Sequence, residues 1–207
     1  MKTISFAVTV CNEILELTKL LNFLQNTIRE EDEIVIQYDE QSVTQDVLEY
    51  LDIMKKMHGY TIVGFPLNKD FATYKNNLTK HCTKDYIFQL DADEIPHENL
   101  VRWLSDVLDD NPVDVIFVPR VNTVEGLTQE HIQKWRWSVN EKGWVNFPDY
   151  QLRIYRRTDD VMWMKPVHET ITGYNTFSNF PAEEEWSLYH PKDIDRQTRQ
   201  NEFYETI

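Results

Sequence analysis

The sequence predicts a single α/β domain built on a mainly parallel, doubly wound sheet. Three observations carry that prediction: short β-rich apolar runs alternate with stretches of helical periodicity, the connections are short, and several apolar runs end in a carboxylate. Composition agrees with one compact core. With 207 residues, 41% hydrophobic and 13% aromatic, and only 5 Gly and 8 Pro, the chain falls outside the disordered, collagen-like and linker-rich classes.

Residues 3–10, TISFAVTV, read as a first buried strand. Cys11, Asn12 and Glu13 follow, then a helix with Ile14, Leu17, Leu20, Leu21 and Leu24 on one face. Residues 33–38 form a second strand with Asp39 at its end, 44–57 a helix, 60–65 a third strand and 70–82 another helix. The stretch YIFQLDADEIP, 86–96, is then a short apolar strand ending in Asp91, Asp93 and Glu94. In an open parallel sheet, ligands bind beyond the carboxyl ends of the strands, so acids there are placed for a ligand or a metal. A helix over 97–108 and a strand over 114–120 complete the pattern.

From 121 onward the character changes. Residues 121–190 carry five of the six tryptophans, and 134–165 hold seven Lys or Arg against four Asp or Glu. Those rings are available to stack on a sugar or a base, or to fill the core. The polar segment 193–207 reads as an amphipathic packing helix with a solvated face.

Several classes are disfavoured. A formal net charge of -14 opposes non-specific attraction to nucleic acid or anionic membranes. Five scattered glycines cannot make a dinucleotide fingerprint or a phosphate-binding glycine loop, so bound phosphates need a cation, and hard carboxylate oxygens suit Mg2+ or Mn2+. Two cysteines make neither a disulfide framework nor a zinc site. The absence of a bilayer-length apolar run or a cleavable signal gives the expectation of a soluble, cytoplasmic protein.

The strand ending VTVCNE, the strand ending in Asp39, the run LNKDFATYKNNLTKHCTKDYIFQLDADE, and the later FPDYQLRIYRR and PVHETITGY together resemble glycosyltransferase family 2 enzymes of GT-A fold. The subgroup they most resemble is the small bacterial and phage enzymes of the lipopolysaccharide core glucosyltransferase type. The resemblance spans nearly the whole chain, 1–207, and implies one Rossmann-like domain with a central, mainly parallel mixed sheet flanked by helices. Residues 1–120 would bind the nucleotide sugar, and 121–207 would hold the acceptor and the catalytic groups.

Residue by residue, the resemblance implies that Thr9, Cys11 and Glu13 lie beside base and ribose, and that Asp39 accepts the uracil N3–H. Asp70 and Lys75 match a nucleotide-contacting pair, with Lys75 where many relatives carry Arg. Asp91 would face the ribose and the metal, with Ala92 also in the nucleotide-sugar site, and Asp93 would be the direct metal ligand bridging to the diphosphate. Asp91, Asp93 and His190 would hold Mn2+ or Mg2+, and Glu94 would orient the loop or cap the helix after Pro96. Asp149 would be the catalytic base. His168, Glu169, Arg153 and Trp137 would serve the acceptor or diphosphate region, with His168 the alternative to His190 at the metal. Strand alternation keeps Arg153, Arg156 and Arg157 from all entering one site.

The implied activity is inverting, metal-dependent transfer of a sugar, glucose from UDP-glucose, to a hydroxyl of a saccharide or envelope polymer. The alternatives are transfer to a hydroxymethylated pyrimidine in DNA, a nucleotide-sugar binding protein that performs no transfer, and a partner-binding domain with no catalysis.

Overall fold

In the computed structural model, residues 1–204 are described, with side chains to residue 199; the expected end of the last helix, 205–207, lies outside the described residues. The first half matches the expected order: β1 (Ile4–Val10), α1 (Ile14–Thr27), β2 (Glu33–Asp39), α2 (Gln45–His58), β3 (Thr61–Phe65), α3 (Phe71–His81) and β4 (Tyr86–Asp91). The strands β3, β2, β1 and β4 lie side by side and parallel. That order brings the carboxyl ends of β1, β2 and β4 to one edge.

The strands are apolar on both faces because both faces are covered. Leu17, Leu20, Leu21 and Leu24 of α1 are fully buried beside Phe6, Val8 and Phe88, each such side chain contributing about 1.5–3 kcal/mol of burial. On the opposite face, Ala72 and Leu78 of α3 pack against Ala7, Val35 and Ile87. The first of these cores also takes Ile154, Phe180 and Leu188, so the two halves of the chain share one interior.

The second half departs from expectation. The strand read over 114–120 is two strands: β6 (Val115–Val118) after α4 (Glu98–Asp110), and β7 (Arg120–Glu125), with β5 (Ile95–Pro96) preceding α4. Pro119 between them has no N–H for a ladder, and there the chain changes sheets. After α5 (Gln129–Trp135), β8 (Gln151–Arg156) inserts antiparallel between β4 and β6. A short hairpin, β9 (Met162–Met164) and β10 (Thr170–Thr172), is followed by β11 (Phe177–Asn179), at the far edge of the seven-stranded sheet. Finally β12 (Leu188–Asp193) lies between β5 and β7 in a separate three-stranded sheet and leads directly into α6 (Ile194–Tyr204). No described helix is long and apolar enough to cross a membrane.

Candidate functional site

A cleft of about 1290 Å³ opens at the carboxyl ends of β1, β2 and β4, and β7, β8, β12 and α6 form its opposite side. Thr9, Cys11, Glu13, Asp39, Lys75, Asp91, Ala92 and Asp93 line the first side; Trp137, Arg153, Glu169 and His190 line the rest, beside Arg120, Asn122 and Gln151. Asp39, 5% exposed, accepts the backbone N–H groups of Leu67 at 3.0 Å and Gln41 at 3.2 Å, which fixes its carboxylate at the end of β2. Glu13 Oε2 accepts the N–H groups of Cys11 (2.9 Å) and Asn12 (3.0 Å), shaping the turn into α1. Burial, then the charges of Glu13 and Asp39, push the Cys11 thiol up to about 11, so it is no nucleophile.

Behind the cleft runs a chain of alternating charges. Asp91 Oδ2 accepts from Arg153 Nη2 at 2.7 Å, and the same nitrogen donates to Glu94 Oε1 at 2.6 Å. Glu94 Oε1 also accepts from Arg120 Nη1 at 3.0 Å, and Arg120 donates through Nε and Nη2 to Asp149 Oδ2 at 2.9 and 2.7 Å. Glu94 is wholly buried, so the expected helix cap is corrected: His97 caps α4 through Nδ1, while Glu94 holds two guanidinium groups and accepts the Asp91 N–H. Desolvation would raise the Asp91 carboxyl, but Arg153 and then Lys75 drive it far below the usual carboxylate range. Desolvation also acts on Asp149, and Arg120 with hydrogen bonds from Asn122 and Gln151 overcomes it, leaving that carboxyl lowered and ionised.

The expected ligand triad is not assembled. Asp91 is turned to Arg153 and to Thr9 Oγ1 (2.8 Å), and among the described residues no group of three His, Cys, Asp or Glu is placed to hold a metal ion. Asp93 and His190 do fit one. Asn122 Nδ2 donates to Asp149, so its Oδ1 faces His190 Nδ1 at 2.7 Å and that nitrogen must carry the proton. His190 Nε2 lies 3.2 Å from Asp93 Oδ2, an imidazole nitrogen and a carboxylate oxygen of the kinds that ligate a divalent cation. Burial would raise the Asp93 carboxyl, and His190 outweighs it, with Arg196 adding to the lowering.

Other expected residues sit elsewhere. Asp70 does not line the cleft: it caps α3, accepting from Thr73 N–H and Oγ1. Lys75 is buried, ion-paired with Glu169 and 4.4 Å from the centre of the Trp163 ring. His168 is exposed, with a left-handed backbone (φ 53°), and Asp149 stands behind Gln151 and Arg120; neither lines the cleft. Trp144 and Trp163 are core, and of the five clustered tryptophans only Trp137 reaches the cleft wall. The seven cations of 134–165 form no single face: Arg153 is buried with Asp91 and Glu94, Arg156 bonds the Pro112 carbonyl, and Arg157 Nε donates to Lys84 O. The sequence reading also missed Arg120, Asn122, Gln151 and Arg196. Arg120 closes the run VIFVPR and was the findable one; Arg196 lies in the helix expected to be packing and solvated, and instead it faces the cleft.

The sequence model described as glycosyl transferase family 2 matches residues 5–186. Among solved structures the chain is similar to S. aureus TarS 1-349, at 15% identity and a TM-score of 0.61, over 92% of this chain and 60% of that one. It is also similar to TarS 1-349 in complex with UDP (14%, 0.64, 92% and 60%) and with UDP-GlcNAc (15%, 0.62, 93% and 59%). These likenesses carry the fold, GT-A, and the chain spans about three fifths of the length of those structures. No curated protein matches the chain.

Proposed function

Because the chain belongs to glycosyl transferase family 2, we propose that it transfers a hexose from a uridine diphosphate sugar to a hydroxyl of a saccharide, with inversion. The observation that supports this is the convergence of Thr9, Asp39, Asp91 and Asp93 at neighbouring strand ends, facing Trp137 and Gln151 across one cleft. Asp39 is the uracil reader, its carboxylate held by two backbone donors so that its remaining lone pairs can accept the N3–H. UDP and UDP-GlcNAc in the TarS complexes agree with a uridine donor; glucose as the sugar rests on the subgroup resemblance.

Asp93 and His190 would hold Mn2+ or Mg2+, which when bound supplies positive charge against the diphosphate. Asp149, kept ionised by Arg120, accepts the proton of the acceptor hydroxyl once Gln151 swings from its Oδ1. A saccharide acceptor is favoured over DNA because the cations of 134–165 that would have met phosphates are scattered or paired. The test is a panel of nucleotide sugars with and without Mn2+, scored by thermal shift and by release of nucleotide. Stabilisation by UDP-hexoses above other nucleotide sugars is expected; equal response to adenosine and guanosine donors would refute the assignment of Asp39.

A further inference from the structure

The last helix supplies a cation whose contacts differ from those of Arg120, Arg153 and Lys75 in the same cleft. Arg196 Nη2 lies 3.0 Å from Asp93 Oδ2 and 3.4 Å from Glu13 Oε1, and its Nη1 lies 3.4 Å from Glu16 Oε1. Three carboxylates share this one guanidinium, none in a close bidentate fork, and the side chain is 25% exposed. Arg153 and Arg120, by contrast, share the buried Glu94 at 2.6 and 3.0 Å, and Lys75 is enclosed between Glu169 and Trp163.

The backbone beneath Arg196 is anchored. Asp193 Oδ1 accepts the Arg196 N–H at 2.7 Å, capping α6, and Ile194 packs over Gly126, where an added Cβ would come within 3.2 Å of Ile194 Cγ2. Only the guanidinium has to move for Arg196 to change partners. A diphosphate entering beside Asp93 meets several carboxylates, and Arg196 is a cation already in contact with that residue.

We propose that Arg196 binds the diphosphate of the nucleotide donor, its contacts to Glu13, Glu16 and Asp93 being the arrangement it leaves when the donor enters. This rests on the uridine diphosphate sugar reading, and it assigns to the C-terminal helix a direct part in donor affinity. The diphosphate offers what the three long contacts do not: adjacent oxygens that the planar fork engages together.

The test is calorimetric titration of UMP and of UDP, each without divalent ion and with Mn2+, into the wild-type chain, Arg196→Gln and Arg196→Lys. Because UMP lacks the second phosphate, Arg196→Gln is expected to lose about tenfold or more in affinity for UDP while UMP stays within about twofold. Arg196→Lys keeps part of the loss back, and added salt narrows the gap between variants. An equal fall for UMP and UDP would make Arg196 a structural residue and overturn the proposal. So would tighter UDP binding by Arg196→Gln, which would mark the guanidinium as an obstruction, or no change at all. Wild-type protein that binds neither nucleotide would sink the uridine donor reading itself, a result distinct from the others.

Discussion

The two sides of the cleft solve the same electrostatic problem in different ways. On the side proposed for the donor, Asp39, Asp93 and Glu13 stand at the ends of parallel strands or just past them, held by backbone N–H groups, a histidine or one long-reaching arginine. On the side proposed for the acceptor, Asp149 is held in place by two arginine bonds, an asparagine and a glutamine, and is tied through Arg120 to the buried Glu94. Loosely held acids can exchange partners with an incoming cation or nucleotide. An acid held by four donors exchanges a partner less readily, and what its donors secure is a fixed charge. Arg153 joins the sides, bonding Asp91 and Glu94 through one nitrogen.

The largest effect expected is on Asp149. Asp149→Asn should lower turnover by about 10²- to 10⁴-fold with UDP affinity unchanged, measured by steady-state kinetics beside titration of UDP. Turnover near wild type would leave Asp149 as a brace for Arg120 and remove it from the chemistry. Next is the shared brace itself. Glu94→Gln leaves the buried Arg153 and the partly buried Arg120 short of a counter-charge, and urea denaturation should show a loss of about 3–5 kcal/mol. Glu13→Gln, on a partly exposed acid of the donor side, should cost below about 1 kcal/mol; similar losses in both would erase the contrast between the two sides.

Acid titration gives a smaller and more specific test. The Asp91 carboxyl is lowered in the folded chain, so the ion pair with Arg153 stabilises fully above the unfolded carboxyl value of about 3.9. That stability is lost as pH falls through the lower folded value. The difference in stability between wild type and Asp91→Asn should therefore be constant above about pH 5 and close progressively below about pH 4. A gap that shrank between pH 7 and 5 would show that Asp91 is not held low.

Legibility in the sequence follows the same division. In the first half β1, β2 and β3 pair in chain order, each reached through one helix, and β4 returns to pair with β1, so Thr9, Asp39 and Asp91 stand at neighbouring strand ends. Asp70 was misread because a helix cap and a ligand contact use the same residue type at the same place. In the second half position depends on distant pairing. Arg153 meets Asp91 only because β8 inserts antiparallel beside β4, and β7 meets β12 across more than sixty intervening residues, which no local periodicity reports. The excess of cations in 134–165 was real as composition and misleading as geometry, since successive side chains on β8 point to opposite faces.

Trp137 offers the finest division between the sides. It lines the cleft on the acceptor side, half-buried, its ring 4.7 Å from that of Trp135, and no residue of α5 is buried in the core. Removing it should therefore leave the fold and the donor-side strands untouched. If the ring stacks on the acceptor, Trp137→Ala loses an interaction of about 1 kcal/mol, which is about fivefold in acceptor KM. Donor hydrolysis in the absence of acceptor should stay at the wild-type rate if the ring serves the acceptor alone. Measuring both rates in one preparation decides the matter: a rise in acceptor KM alone assigns the ring to the acceptor, whereas a parallel fall in donor hydrolysis would mean that the two sides of the cleft are not separable at this residue.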